Sequence, residues 1–214
     1  TGQEKHTTER HRGRPVVAGQ PDLRLQILDI AEKLFATHGY AATSVRQIAE
    51  QAGVNPALVH YYFGNKKALL QNVMDRALAP LVQAISAMKD SPETSPESIV
   101  RLLLSMASSH PNIPRLMTRE VLLPGGEMKQ HFTENMAPSL GGALPGLLGQ
   151  AQTAGRVRQD IDPAITSMQI MALCIFPFIA RDLAEPVLGI QFDATGIELL
   201  AQQITQLLRQ GIEL

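Results

Sequence analysis

Between Ser44 and Lys66 the chain carries polar and aromatic side chains at a spacing suited to gripping a surface rather than turning over a substrate. Ser44 can cap a short helix, with Gln47 three residues on as its capping-box partner. Val45, Ile48, Ala49 and Ala52 form that helix's apolar stripe, and Gly53 ends it. Asn55 can cap the next helix and Pro56 is a good first residue for it. That helix, from Pro56 to about Tyr62, buries Val59 and Phe63 and turns Ala57, His60 and Tyr61 outward. Two short helices joined by a three- or four-residue turn are the sequence form of a helix-turn-helix. A helix about 10–12 Å across fits a major groove about 12 Å wide when a first helix braces it from behind. Val45, Ile48, Ala49 and Val59 would make the brace. Such pairs are common, so on geometry alone a plain packed helix pair stays open beside DNA binding.

Nothing comparable points to catalysis. The sequence has no Gly-x-Ser-x-Gly, no His-Glu-x-x-His, no Gly-x-x-x-x-Gly-Lys and no pair of cysteines. His110 and His131 are isolated, so no metal and no cofactor are expected. Cys174 lies in an apolar run with no His near it and reads as an inert core thiol.

Composition agrees with a folded, helical chain. With 214 residues, 44% apolar and 18% charged, folding should bury roughly 70% of the unfolded surface. One Cys and the absence of a Gly period exclude a disulfide scaffold and collagen, and the aliphatic content excludes general disorder. No apolar run approaches the ~20 residues needed to cross a bilayer, and residues 1–21 are polar and basic rather than signal-like. A cytoplasmic protein without membrane contact is the expectation. Residues 1–76 carry ten Lys/Arg against seven Asp/Glu, and residues 77–214 nine against thirteen. A basic head on an acidic body suits a polyanion partner for the head alone, although uneven surface charge accounts for the balance equally well.

The elements that must position these residues are all helical. Residues 1–21 lack periodicity and read as a flexible basic arm; 22–66 hold three short helices; 67–214 form a larger helical body. Ile27, Ala31, Leu34 and Phe35 repeat at helical spacing up to a stop at His38-Gly39. A long helix opens at Lys66 and should kink at Pro80. Helical stripes follow at 99–108, 113–123, 127–154, 163–184 and 196–208, the third broken by Pro138, Gly141, Gly142, Pro145 and Gly146. The fold class is all-α, with about nine helices.

The residues of 27–70 make the DNA reading much sharper. Phe-x-x-x-Gly-Tyr at 35–40, Thr-Ser-Val-Arg-x-Ile-Ala at 43–49, Ala-Gly-Val at 52–54 and Tyr-Phe-x-x-Lys at 62–66 closely resemble the DNA-binding head of the tetracycline-repressor (TetR) family. The resemblance covers about 45 residues without gaps. Beyond them only the helix count and the Gly-Arg-Val-Arg-x-Asp-Ile-Asp-Pro connection at 155–163 match in outline. It implies that Thr43, Ser44 and Lys66 hold phosphates, that Arg46 reaches a guanine edge, and that Asn55, Ala57, His60 and Tyr61 face bases or the flanking backbone. The helix starts at Ser44 and Asn55 would add N–H groups aimed at phosphate. His60 departs from the Tyr usual there, which leaves its role open between base and phosphate. For Tyr61 and Tyr62 the alternative is packing within the head, and for Lys66 a solvated charge. In the arm, Arg12-Gly13-Arg14-Pro15 resembles an AT-hook core, so Arg12 and Arg14 are candidates for a minor groove.

For the body the resemblance implies dimerisation and effector binding. Six of eight Met residues fall between 106 and 171. Met106, Met117, Met128, Phe132, Met168 and Met171 are expected to line an apolar pocket, with simple core filling as the alternative. Arg115, Arg119 and His131 are possible polar anchors there or plain surface residues. Phe176, Ile179, Leu200, Ile204 and Leu207, on two long apolar stripes, are expected to pack across a two-fold axis. The expected function is a homodimeric, ligand-responsive repressor of double-stranded operator DNA, released by a small hydrophobic effector. The rival is a small-molecule-binding protein with a vestigial head, and an enzyme is a distant third.

Overall fold

A computed structural model describes residues 20–89 and 94–212, and within them eleven α-helices and one π-helical turn with no strand. Arg12 and Arg14 lie outside the described residues. Helix α1 (Gln20–His38) begins two residues before the expected start at 22. Gly39 ends it with φ +83, a conformation that a Cβ would strain, and its N–H closes on the Phe35 carbonyl at 2.8 Å. Helices α2 (Val45–Gln51) and α3 (Pro56–Phe63) complete the head.

Helix α4 (Lys66–Lys89) spans about 36 Å at 1.5 Å per residue and runs on through Pro80, whose side is exposed. Leu69, Leu70, Val73, Met74, Ala77, Leu78, Leu81 and Ile85 form one buried stripe along it. That stripe packs against α1 and α3 in the head and against α5 (Pro96–Ser109) and α8 (Ala143–Thr153) in the body. Each such side chain taken fully out of water contributes about 1.5–3 kcal/mol. The head and body therefore share a continuous apolar core.

Three expected stripes resolve differently. The 113–123 stripe is α6 (Ile113–Met117) followed directly by a π turn, Thr118–Leu122, closed by Leu123 N–H on the Thr118 carbonyl at 3.0 Å. The 127–154 stripe splits around Pro138, Gly141 and Gly142 into α7 (Lys129–Asn135) and α8, whereas Pro145 and Gly146 fall in the first turn of α8 and do not break it. The 163–184 stripe is α9 (Pro163–Ile179) and α10 (Arg181–Leu188), bent by 76°. α9 and α10 each run through a proline, Pro177 and Pro186, and the bend between them falls at Ala180. α11 (Ala194–Ile212) closes the body against α5. No single helix among the described residues is long and apolar enough to cross a membrane.

Cys174 sits fully buried on α9, and burial alone pushes its thiol up to about 12. On the order of one molecule in ten thousand then carries the thiolate at pH 8. A thiol-reactive probe at pH 8 should leave the folded protein unmodified for hours and label one site at once in denaturant. Rapid labelling of the native protein would show that α9 opens locally.

Candidate nucleic-acid interface

The head presents α3 outward because its caps and its core leave no other arrangement. Ser44 Oγ accepts the Gln47 N–H at 3.2 Å while Gln47 Oε1 accepts the Ser44 N–H at 2.8 Å, a complete capping box. Asn55 Oδ1 accepts the Ala57 N–H at 2.9 Å and starts α3. Between them the Val54 N–H bonds the Ala49 carbonyl at 2.9 Å and fixes the turn. Ile48 and Ala49 of α2 and Val59 and Phe63 of α3 are buried in one cluster with Phe35 of α1. Arg24 of α1 locks the rear: its guanidinium lies 5.2 Å from the Phe63 ring centre and donates to Asn72 Oδ1 at 2.7 Å. With that face buried, Asn55, Ala57, His60 and Tyr61 all stand in solvent.

The polar side chains of this face differ in how free they are. Arg46 is 82% exposed and pairs with Glu50 one turn on at 3.0 Å. His60 Nδ1 sits 2.8 Å from the Gly64 carbonyl, so that nitrogen carries the proton and Nε2 points away. Tyr61 meets Tyr62 edge-on at 5.5 Å, and the partly buried Tyr62 meets Phe63 in the same way. Thr43 is a correction. Its side chain is 2% exposed, and its hydroxyl donates to the Gly39 carbonyl at 2.8 Å with the Leu34 carbonyl at 3.3 Å, so it closes a loop and has no reach toward a phosphate. Lys66 is half-buried and not a simply solvated charge. Its ammonium donates to the Tyr40 carbonyl at 2.8 Å and the Thr43 carbonyl at 3.0 Å, and stands 4.1 Å from the centre of the Tyr40 ring. One of its three N–H groups remains for an anion. Burial first, then the Glu127 and Glu120 carboxylates, hold the Tyr40 phenol above its ordinary value.

The junction with the body was not foreseen. Glu120, in the π turn, is 6% exposed and accepts the Tyr40 N–H at 3.0 Å. Arg119 donates to the Thr37 and His38 carbonyls at 3.3 and 3.1 Å, so it anchors no pocket. Arg76 of α4 meets Asp29 at 2.7 Å and Glu32 at 3.5 Å, and Asn112 donates to Glu32 at 3.3 Å. Nothing in the spacing of an Arg-Glu pair inside an amphipathic stripe distinguishes such contacts from surface charges.

The six pocket candidates differ in burial. Met128 is wholly buried in the core, and Met168 stands exposed on α9, so Met168 is withdrawn from a pocket lining. Met106, Met117, Phe132 and Met171 are half-buried against the core. Of the polar anchors, Arg115 pairs with Asp182 of α10, and His131 Nε2 meets Asp75 Oδ1 at 2.8 Å. Beside His131 a groove of about 390 Å³ opens to solvent, lined by Asp75, Ala79, Val82, Gln83, Asn135 and Met136. The expected dimer residues also separate. Phe176 is 63% exposed and Leu207 is exposed, Ile179 and Leu200 are half-buried, but Ile204 is 7% exposed and belongs to the protomer's own core. The stripe on α11 is broad enough that its inner edge packs against α5, which removes Ile204 from an interface.

Residues 27–73 match the family described as bacterial regulatory proteins, tetR family, and residues 92–212 match the tetracyclin repressor-like C-terminal domain. The transcriptional repressor NicS of Pseudomonas putida is 27% identical over 177 residues, covering 76% of this chain and 82% of that protein. Among solved structures, the regulator FadR of Bacillus subtilis in complex with stearoyl-CoA superposes with a TM-score of 0.68 at 20% identity, covering 88% and 99% of the two chains. SmeT of Stenotrophomonas maltophilia, in its triclosan complex, superposes with 0.67 at 20%, covering 90% and 92%.

Lys66 and Arg46 should separate in two measurements. Lys66→Ala removes two charge-assisted hydrogen bonds and a cation–π contact, a loss of about 1–2 kcal/mol at this half-exposed site. Its unfolding temperature should fall by several degrees, and DNA of every sequence should bind more weakly. Arg46→Ala should cost less than about 0.5 kcal/mol of stability and relax preference at one base pair by about 1–3 kcal/mol. A sequence-blind loss from Arg46→Ala removes base reading from that residue.

Proposed function

The chain belongs to the TetR family of bacterial regulatory proteins, and on that premise we propose that this DNA-binding transcriptional regulator is a homodimeric repressor released from its operator by a small apolar effector. The observation that carries the reading is the outer face of α3, held by two intact helix caps and a shared core, with Ala57, His60 and Tyr61 left free to enter a groove. The functional division follows the sequence: 1–21 as an arm, 22–66 as the DNA-binding head, 67–214 as the effector-binding and dimerising body. In this reading Arg46, Asn55, Ala57, His60 and Tyr61 contact base edges or flanking backbone, while Ser44 and the spare N–H of Lys66 hold phosphate. Arg12 and Arg14 of the arm are proposed for the adjacent minor groove. The function includes no catalytic step.

The two ligand-bound relatives hold stearoyl-CoA and triclosan, both with large apolar parts. By analogy the effector is proposed to lie against Met106, Met117, Phe132 and Met171, with the buried Met128 able to repack around it. The groove beside His131, on the same helix as Phe132, is the proposed entrance. Dimerisation is assigned to the exposed apolar face of α9, formed by Ile165, Met168, Ala172 and Phe176, together with Leu199 and Leu207 of α11 and the half-buried Ile179 and Leu200 beside them. These residues leave an apolar surface that a second copy would cover through a four-helix contact.

The central experiment is binding to DNA recovered from a random pool. A sequence-preferring, strongly salt-dependent affinity is expected, and no selection of any sequence would leave the small-molecule-binding protein with a vestigial head. A long-chain acyl-CoA or a chlorinated diphenyl ether that fits should raise the unfolding temperature and weaken operator binding by about 5–150-fold. Phe132→Trp should abolish that response and leave DNA affinity nearly unchanged. If a broad apolar panel gives no thermal shift, the effector assignment falls.

The interface has its own discriminating pair. Phe176→Glu should give a folded monomer by sedimentation, because the new charge stands in solvent once the chains part. Ile204→Glu should unfold the chain, since it buries an unpaired carboxylate in the protomer core at a cost of several kcal/mol. A stable dimer for Phe176→Glu places the interface elsewhere.

A further inference from the structure

The stretch from Asn112 to Glu120 touches the head at both of its ends, and its chemistry there is unusual. Glu120 is a buried carboxylate with which no cation pairs among the described residues. Its two oxygens accept backbone N–H groups, Tyr40 from the head at 3.0 Å and Glu127 from the following loop at 3.4 Å. Burying a charge without a counter-ion is costly, and an aliphatic side chain would fill the same space more cheaply. What the carboxylate adds is direction: it holds one amide of the head in one place.

The neighbouring residue grips the same segment. Arg119 spreads its guanidinium over the Thr37 and His38 carbonyls, in the last turn of α1, where carbonyls lack helical partners. Gly39 lies directly beneath it, so close that a Cβ would overlap the guanidinium. Arg119 and Glu120 are consecutive residues of the π turn, and both side chains reach the head. The turn's i→i+5 closure joins Thr118 to Leu123, and Pro124, which has no N–H, leaves the Glu120 carbonyl free to accept the Met128 N–H at 2.9 Å. Gly126 allows the loop to come back over this turn, since a Cβ there would stand 2.4 Å from the Glu120 carbonyl oxygen.

The bonds continue into the DNA-binding face. The Tyr40 amide is held by Glu120, the Tyr40 carbonyl by Lys66, and Lys66 also holds Thr43, next to the Ser44 cap of α2. We propose that Arg119 and Glu120 are positioning residues for DNA recognition: they latch residues 37–43, and through them the start of α2, to the body, so that the head cannot turn on its own. In a dimer this fixes the separation at which two heads meet two half-sites. Asn112, Glu32 and Arg76 make a second tie at the other end of α6, so the latch governs orientation while that network and the α4 core keep the halves attached. The proposal rests on the DNA-binding reading above, and its test includes a measurement that needs no DNA.

The full-length protein is labelled with nitroxides at Gln51→Cys on α2 and Ser105→Cys on α5, both exposed and outside the ties, with Cys174 buried. In Glu120→Ala and Arg119→Ala the label-to-label distance distribution should broaden at least twofold while the unfolding temperature moves by only a few degrees. The wild-type-selected two-half-site DNA should bind roughly tenfold more weakly, with single half-site affinity unchanged and with less penalty for an altered spacer. Glu120→Gln, which keeps an oxygen for the Tyr40 amide, should restore the narrow distribution and the spacer preference. If Glu120→Ala does not fold, Arg119→Ala carries the same measurement. A folded variant with a wild-type distribution, or a Glu120→Gln that behaves like Glu120→Ala, overturns the latch. If the wild-type protein selects no DNA, the DNA reading fails by itself, and the label distances still decide the latch.

Discussion

Because the buried stripe of α4 packs against α1 and α3 at the head and against α5 and α8 in the body, the two halves of the molecule hang on one rod. A helix of about 36 Å is stiff on this scale, and its apolar face cannot slide without exposing Leu, Val and Met side chains worth about 1.5–3 kcal/mol each. The head is therefore attached by packing, which is strong but indifferent to small rotations. Orientation needs directional bonds: in the proposed latch Arg119 on the end of α1 and Glu120 on Tyr40 supply them, while Arg76 and Asn112 on Glu32 add to the attachment.

The head itself follows a similar division of labour. Apolar burial of Ile48, Ala49, Val59 and Phe63 sets which faces of α2 and α3 turn inward. Backbone caps at Ser44 and Asn55 set where each helix starts, and hence the depth at which α3 stands out. Lys66 and Thr43 donate to the carbonyls of residues 34–43, so the loop before α2 is pinned to the rest of the head. In the body the same logic leaves an asymmetry. The inner edges of α9 and α11 are sealed by Ile170, Cys174, Phe178, Ala201, Ile204 and Leu208, while Phe176, Met168 and Leu207 face solvent.

Much of this was legible from residue order. The helix stripes, the Ser44 capping box and Asn55 cap, the stop at Gly39 and the outward placing of Ala57, His60 and Tyr61 depend on neighbours within a turn or two, so spacing suffices to read them. The break of 127–154 around Pro138, Gly141 and Gly142 is likewise local chemistry. Spacing failed where a stripe is wide. Ile204 and Leu207 sit three apart on α11 and look alike in sequence, yet one packs on α5 and the other does not. Met128 and Met168 differ in the same way, one sealed in the core and one on the surface.

The sequence by itself determined an all-α chain, a helix-turn-helix head with its caps, and the set of side chains that head can offer to DNA, because each is governed by contacts within a few residues. Tertiary structure alone decided that Thr43 is buried, that Lys66 is bound to two carbonyls, and that Arg119 and Glu120 reach across some 80 residues to the end of α1 and the Tyr40 amide. Those outcomes depend on which surfaces meet when α4, α6 and α1 pack together. Residue types along the chain carry no record of that meeting, since an Arg or a Glu in an amphipathic stripe serves a solvent face and a buried tie equally well.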